Sequence, residues 1–243
     1  MTTDREHVPV SNILAMHLGL KEVPLLDEND RQGSGFYTVS EFREILQYAK
    51  ERHVEVIPEI DVPGHAFSAI KAMQYREQDL RQFKSDGTRQ SYILSDYVSG
   101  VQAQQGWLGS SINPCLNATY SFVETILTDL QSIYKGIEKL KLVHLGGDEV
   151  PDGVWENSKT RKSLLQDSSL DHSAIKKLFI VKVADIARRH GLKFSLWEDG
   201  IYNATQGPYD ANEFKQTEVL VNAWNNIWEA RIGHTFDGHP FIF

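Results

Sequence analysis

The chain of 243 residues carries one cysteine, Cys115, which excludes an internal disulfide and a cysteine-rich metal site. It has no apolar run near the roughly 18 residues that cross a bilayer. The opening Met1-Thr2-Thr3-Asp4-Arg5-Glu6-His7 lacks the apolar centre of an export signal. Cations are in the minority, 25 Lys and Arg against 33 Asp and Glu, and a formal net charge of −8 argues against nucleic acid or an anionic membrane as the main partner. Histidines at His-x-His or His-Glu-x-x-His spacing are missing, so the usual close metal-ligand pairs are not present. Internal repeats and low-complexity tracts are missing too.

What is present is an alternation of helix and strand. Thr38-Val39-Ser40-Glu41 has the spacing of a capping box, and Phe42, Ile45, Leu46 and Ala49 follow on one helical face. Tyr120 to Tyr134 repeats the period with Val123, Ile126, Leu127, Leu130 and Ile133. Ser173 to His190 repeats it again, with Ile175, Leu178, Phe179, Val183 and Ile186 expected inward and Gly191 closing the helix. Each helix precedes an apolar, β-branched strand, which is the order of a parallel sheet with helical crossovers. Residues 1–35, ending Gly33-Ser34-Gly35, read as loop. So do the forty or so residues between Gln74 and Pro114, whose Tyr92, Tyr97 and Trp107 would suit the wall of a sugar site.

Chemistry collects at the strand ends. Leu142-Val143-His144-Leu145 empties through Gly146-Gly147 onto Asp148-Glu149, and Val54 to Val62 ends in Asp61, Pro63-Gly64 and His65. Phe194 to Trp197 and Val219 to Trp224 each deliver a tryptophan. The C-terminal ends of parallel strands share one face, where active sites are built. Adjacent carboxylates oppose each other's ionisation and push their pKa values apart, as acid/base chemistry requires. An acidic pair in such a place is also, by itself, an ordinary solvated turn.

Four motifs carry a resemblance: Glu-Ile-Asp-Val-Pro-Gly-His at 59–65, Ile-Asn-Pro-Cys-Leu at 112–116, His-Leu-Gly-Gly-Asp-Glu-Val at 144–150 and Trp-Glu-Asp-Gly at 197–200. Together, in this order, they resemble the β-N-acetylhexosaminidases of glycoside hydrolase family 20, chitobiase-like members included. The resemblance implies an α/β fold, a partial (β/α)8 barrel of the third to sixth strands. It also implies removal of terminal GlcNAc or GalNAc with the substrate's own 2-acetamido oxygen as nucleophile, an exception to the two-carboxylate scheme. Glu149 would be the proton donor and later the base that activates water. Asp148 would hold the acetamide N–H and offset the positive charge of the oxazolinium intermediate. His65 would pair with the acid, Trp197 and Trp224 would wall the acetamide pocket, and Asp61 and Asp199 would support the pair. No cofactor and no metal are implied.

The expected limits are an irregular segment over 1–32, a partial catalytic domain over 33–231 and a closing stretch over 232–243 outside the family pattern. The family's first-strand arginine, second-strand aspartate and seventh- and eighth-strand residues find no counterpart, so weak or absent activity of this chain is expected. An inactive remnant or sugar-binding isoform of the fold is then the alternative. A metal-dependent barrel hydrolase using Asp61, His65, His144 and Asp148 stands behind it. Gly-Gly-Asp-Glu-Val also differs by one residue from the diguanylate cyclase signature, but the helix–strand setting and the lack of a phosphate loop argue against that. The partner expected is an N-acetylhexosamine-terminated oligosaccharide or glycoconjugate, with no nucleic acid and no membrane; a dimer stays open. The family implies a lysosomal or secreted location, and Asn117-Ala-Thr and Asn203-Ala-Thr are glycosylation triplets.

Overall fold

Thr38 caps the first helix by satisfying two orphan amides at once: its Oγ1 accepts the Glu41 N–H at 3.1 Å while Glu41 Oε2 accepts the Thr38 N–H at 2.7 Å. Helix α1, Val39–Lys50, follows and buries Leu46 and Ala49. In this computed structural model the described residues are 37–82, 91–97, 100–103, 108–164, 171–203, 207–214, 219–223 and 241–242. After α1 come α2 (Phe67–Gln82), α3 (Asn117–Tyr134), strand β1 (Leu142–His144), a short α4 (Lys159–Leu164), α5 (His172–Arg189) and β2 (Lys193–Trp197). A 3-10 turn over Glu198–Ile201 leads to the two-residue hairpin strands β3 (Tyr202–Asn203) and β4 (Gly207–Pro208). A second 3-10 turn (Ala211–Phe214), β5 (Val219–Asn222) and β6 (Phe241–Ile242) complete the order.

β1, β2, β5 and β6 form one parallel sheet in that spatial order. The segment Pro58–Val62 lies along the free side of β1. His144 N–H donates to the Pro58 carbonyl (3.0 Å), Ile60 N–H to His144 (2.9 Å) and Val62 N–H to Leu145 (3.1 Å). Space therefore follows sequence, with helices in the crossovers from the 58–62 segment to β1 and from β1 to β2, and side-by-side parallel strands require such crossovers. Val143, Phe194, Leu196 and Val221 are fully buried in the sheet, and Phe122, Leu127, Phe179, Ile180 and Val183 cover it from α3 and α5. Cations and amides close helix ends: Arg43 donates to the carbonyls of Ile133 and Lys135, and Gln131 Nε2 donates to the His190 carbonyl at 2.9 Å. Gly191 follows α5 in the left-handed conformation (φ 68°), as its position after the last apolar residue predicts.

Two expectations change. Leu178, expected inward, is 40% exposed, because Lys176 and Ile180 take the buried stripe between Ile175 and Val183. The stretch after Gln74 is not all loop: α2 runs on to Gln82. Nor do Tyr92 and Tyr97 form a wall. Tyr92 is buried edge-on to Phe122 with its hydroxyl on Thr125 Oγ1 (2.8 Å), and the Tyr97 hydroxyl donates to the Ser111 carbonyl (2.6 Å). Trp107 lies outside the described residues.

These placements set opposite outcomes for two truncations read by urea unfolding. Phe194→Ala, deep in the sheet, should lose about 3–5 kcal/mol, whereas Leu178→Ala on the outer side of α5 should lose less than about 1 kcal/mol.

Candidate active site

Three turns meet beyond the C-terminal ends of the 58–62 segment, β1 and β2. The first carries His65 (φ 45°) and is clamped by the 110–112 segment: Ala66 N–H donates to the Ser110 carbonyl and Ile112 N–H to Pro63, both at 2.8 Å. Asn113 anchors that clamp. Its amide nitrogen reaches Asp96 Oδ1 (2.7 Å) and Ser158 Oγ (2.8 Å), its Oδ1 accepts the Cys115 N–H (2.9 Å), and its carbonyl accepts the Thr119 hydroxyl (2.7 Å). The Ile-Asn-Pro-Cys-Leu motif thus acts on His65 through the backbone.

The second turn is Gly146-Gly147-Asp148-Glu149, with φ of 63° and 91° at the glycines and 47° at Glu149. A Cβ at 146 would fall 1.8 Å from Asp61 Oδ1 and 2.8 Å from Asp61 Cα. At 147 it would meet Leu196 Cδ2 at 3.0 Å and Gly200 Cα at 3.1 Å. Only glycine lets the turn lie between Asp61 and the end of β2. The Gly147 N–H then donates to Asp61 Oδ1 at 3.3 Å. The third turn, Glu198–Ile201, supplies Asp199, whose Oδ2 accepts the Glu149 N–H at 2.7 Å. Left-handed φ at a non-glycine residue costs about 1–2 kcal/mol; His65 and Glu149 are both held there by these contacts.

The result places His65 Nε2 3.4 Å from Asp148 Oδ2 and 3.4 Å from Glu149 Oε2, the histidine 9% exposed and the acids 16% and 27%. The imidazole lies between the two carboxylates. Beneath them Lys176 of α5 is buried and donates from Nζ to the Asp199 carbonyl. Burial pulls its ammonium below the ordinary lysine value, against Asp199, Asp148 and Asp152, which hold it up. To one side, Glu59 Oε1 accepts the Trp197 indole N–H at 2.8 Å and lies 3.2 Å from His144 Nδ1, while the His144 and Trp197 rings meet edge to face at 4.8 Å. Burial lowers the His144 pKa, although the nearby acids Glu59 and Asp148 raise it.

Comparison with known proteins gives the family. The family model of the glycosyl hydrolase family 20 catalytic domain matches residues 11–243. The chain belongs to glycosyl hydrolase family 20. It is 33% identical over 183 residues to a β-hexosaminidase of Vibrio vulnificus, covering 72% of this chain and 21% of that protein. To the N,N'-diacetylchitobiase of Vibrio harveyi it is 28% identical, covering 82% and 26%. Among solved structures, the family 20 exo-β-N-acetylglucosaminidase of Vibrio harveyi in complex with N-acetylglucosamine superposes with a TM-score of 0.57 at 26% identity, over 79% of this chain and 26% of that one. The chain thus spans about a quarter of the length of these relatives, and its fold is a TIM-barrel-like α/β fold, present in part.

In this family 20 chain the structure brings together Glu149, Asp148 and His65, and joins Asp61 and Asp199 to them. Trp197 stands beside the cluster on Glu59; Trp224 lies outside the described residues. Of the four side chains of the metal reading, Asp61, His65 and Asp148 place one ligand atom each within 4.8 Å of one another, while His144 faces Glu59 instead. Glu59 and Lys176 were not singled out by sequence. The signal for Glu59 is the period of two, which puts residues 59 and 61 on one face of an extended segment. For Lys176 it is a lysine on an otherwise apolar helical stripe.

A glycine contrast tests the interlock. Gly191→Ala has open space around its Cβ and should cost about 1–2 kcal/mol for its φ alone. Gly146→Ala meets Asp61 backbone as well and should lose clearly more in urea unfolding.

Proposed function

We propose that this chain carries the catalytic centre of a β-N-acetylhexosaminidase, a retaining glycoside hydrolase that removes terminal non-reducing N-acetylhexosamine from oligosaccharides. The observation that supports it most is the adjacent Asp148 and Glu149 gathered around His65 at the strand ends of a family 20 chain. Neighbouring residues on one turn suit an acid and a holder that act on neighbouring atoms of one sugar ring. Glu149 protonates the glycosidic oxygen as the bond to the anomeric carbon breaks, and the substrate's acetamide oxygen bonds to that carbon from the opposite face. Asp148 accepts the acetamide N–H and offsets the charge of the oxazolinium ring. Water, deprotonated by Glu149, then opens the ring and restores the acetamide with retention.

His65 pairs with the acid Glu149, a task that suits an imidazole. Trp197, fixed by Glu59 and His144, and Trp224 flank the acetamide. Segment 58–62, β1, β2 and β5 correspond to the family's third to sixth barrel strands, and the catalytic domain occupies 33–231. The relatives' names, β-hexosaminidase and chitobiase, and the N-acetylglucosamine bound in one of them support the substrate class.

Hydrolysis of a chromogenic N-acetylglucosaminide by the chain and by Glu149→Gln measures this. Loss of the proton donor should lower kcat by about 10²–10⁴-fold, and a chelator should leave turnover unchanged. Turnover lost on chelation would favour the metal grouping of Asp61, His65 and Asp148. Where turnover is not detected, calorimetry with a thiazoline mimic of the cyclised sugar decides. Binding lost in Asp148→Ala would mark a sugar-binding form of the same site, and no binding by the unaltered chain would overturn the reading.

A further inference from the structure

Lys176 lies where the pattern of α5 calls for an apolar residue. It belongs to the buried stripe with Ile175, Phe179, Ile180 and Val183 and is itself 8% exposed. Burying an ammonium is costly, and an apolar side chain of similar length would cover the same surface without that cost. Packing alone therefore does not call for the charged head. Asp199, Asp148 and Asp152 offset its charge, and its Nζ donates to the main-chain carbonyl of Asp199. What the head group adds is a fixed donor just past the end of β2.

Asp199 is then gripped twice. Its carbonyl is tied to α5, and its Oδ2 accepts the Glu149 N–H at 2.7 Å. Glu149 has a φ of 47°, a left-handed backbone that a glutamate leaves unless it is held. A return to negative φ would redirect its carboxyl away from His65, which Oε2 now meets at 3.4 Å. We infer that Lys176 is a positioning residue for Glu149: through Asp199 it fixes the backbone of the proton donor to the frame of α5. The catalytic part of this role rests on the hexosaminidase reading. A general acid works within hydrogen-bond reach of the oxygen it protonates, and a misplacement of about 1 Å can cost about 10²-fold.

The tie is read first without turnover, by amide hydrogen exchange of the 15N-labelled chain. Lys176→Met removes the donor and keeps most of the stem. The Glu149 amide should then exchange about tenfold faster or more. The Leu145 amide, which donates to the Ser195 carbonyl at 2.9 Å inside the sheet, should keep its rate. Lys177→Met removes the same charge one residue on, where the ammonium pairs with Glu213 at 2.6 Å, and should leave the ratio of the two amides unchanged. No change at Glu149, equal acceleration at both amides, or as large a response to Lys177→Met overturns the inference. Should Lys176→Met fail to fold, Lys176→Gln, neutral and one bond shorter, takes its place with the same outcomes. Should neither fold, the wild-type ammonium decides. Its 15N resonance should couple across the hydrogen bond to the Asp199 carbonyl carbon, and no coupling overturns the inference.

Positioning of the acid is read in the leaving group. For kcat/KM, which reports the bond-breaking step, Lys176→Met should lose less than about threefold on a dinitrophenyl N-acetylglucosaminide, whose phenol departs without a proton. On the phenyl glycoside, which needs the proton, it should lose about tenfold or more. Equal losses would mean that Lys176 supports the fold and not the donor, and would overturn the inference while leaving the hexosaminidase reading intact. A wild-type chain that shows the exchange response but neither turns over these glycosides nor binds the thiazoline mimic refutes the hexosaminidase reading and leaves the Lys176 tie standing.

Discussion

The occupation of one small volume by two chain segments governs this site. The Asp61 carboxyl fills the space where a side chain at 146 would be, so β1 can end only in a glycine turn. That turn carries the chain between Asp61 on one side and Leu196 and Gly200 on the other. Once it is set, Asp148 and Glu149 have little choice of direction. The Asp199 carboxylate captures the Glu149 amide and holds a left-handed backbone that a glutamate would not adopt unaided. The arrangement is close packing used to aim charge.

The second constraint is electrostatic. Asp61, Asp148, Glu149 and Asp199 crowd one end of the sheet, and the opposing groups are His65, within reach of two of them, and the buried Lys176. Burying carboxylates without partners costs more than the fold could offset. The structure meets this with backbone amides on Asp61 and Asp199, a lysine committed to the Asp199 carbonyl, and an imidazole between the acids.

Much of this was legible in the sequence. The helices over Val39–Lys50, Asn117–Tyr134 and His172–Arg189 showed in their apolar period, helped by the capping box before the first and Gly191 after the last, because these helices bury one face and leave the other wet. The glycine pair and the acids after it marked the site, since strand ends on one face bring distant motifs together. Tyr92 and Tyr97 misled because polar surroundings in sequence do not report burial: both face inward and satisfy their hydroxyls locally. Lys176 hid for the converse reason. A lysine is ordinarily solvated, and only the fold discloses an acidic floor for it to sit beneath. Glu59 was read as part of a motif, but its grip on Trp197, 138 residues away, is tertiary and has no local mark.

The ties that make the centre are long in sequence: 86 residues separate Asp61 from Gly147 and 50 separate Glu149 from Asp199. The helices need no such closure. Contacts of this span come late in folding, after local structure has formed. The surroundings of these carboxylates are therefore a property of the docked turns together and of no single segment, since each turn takes its partners from elsewhere in the chain.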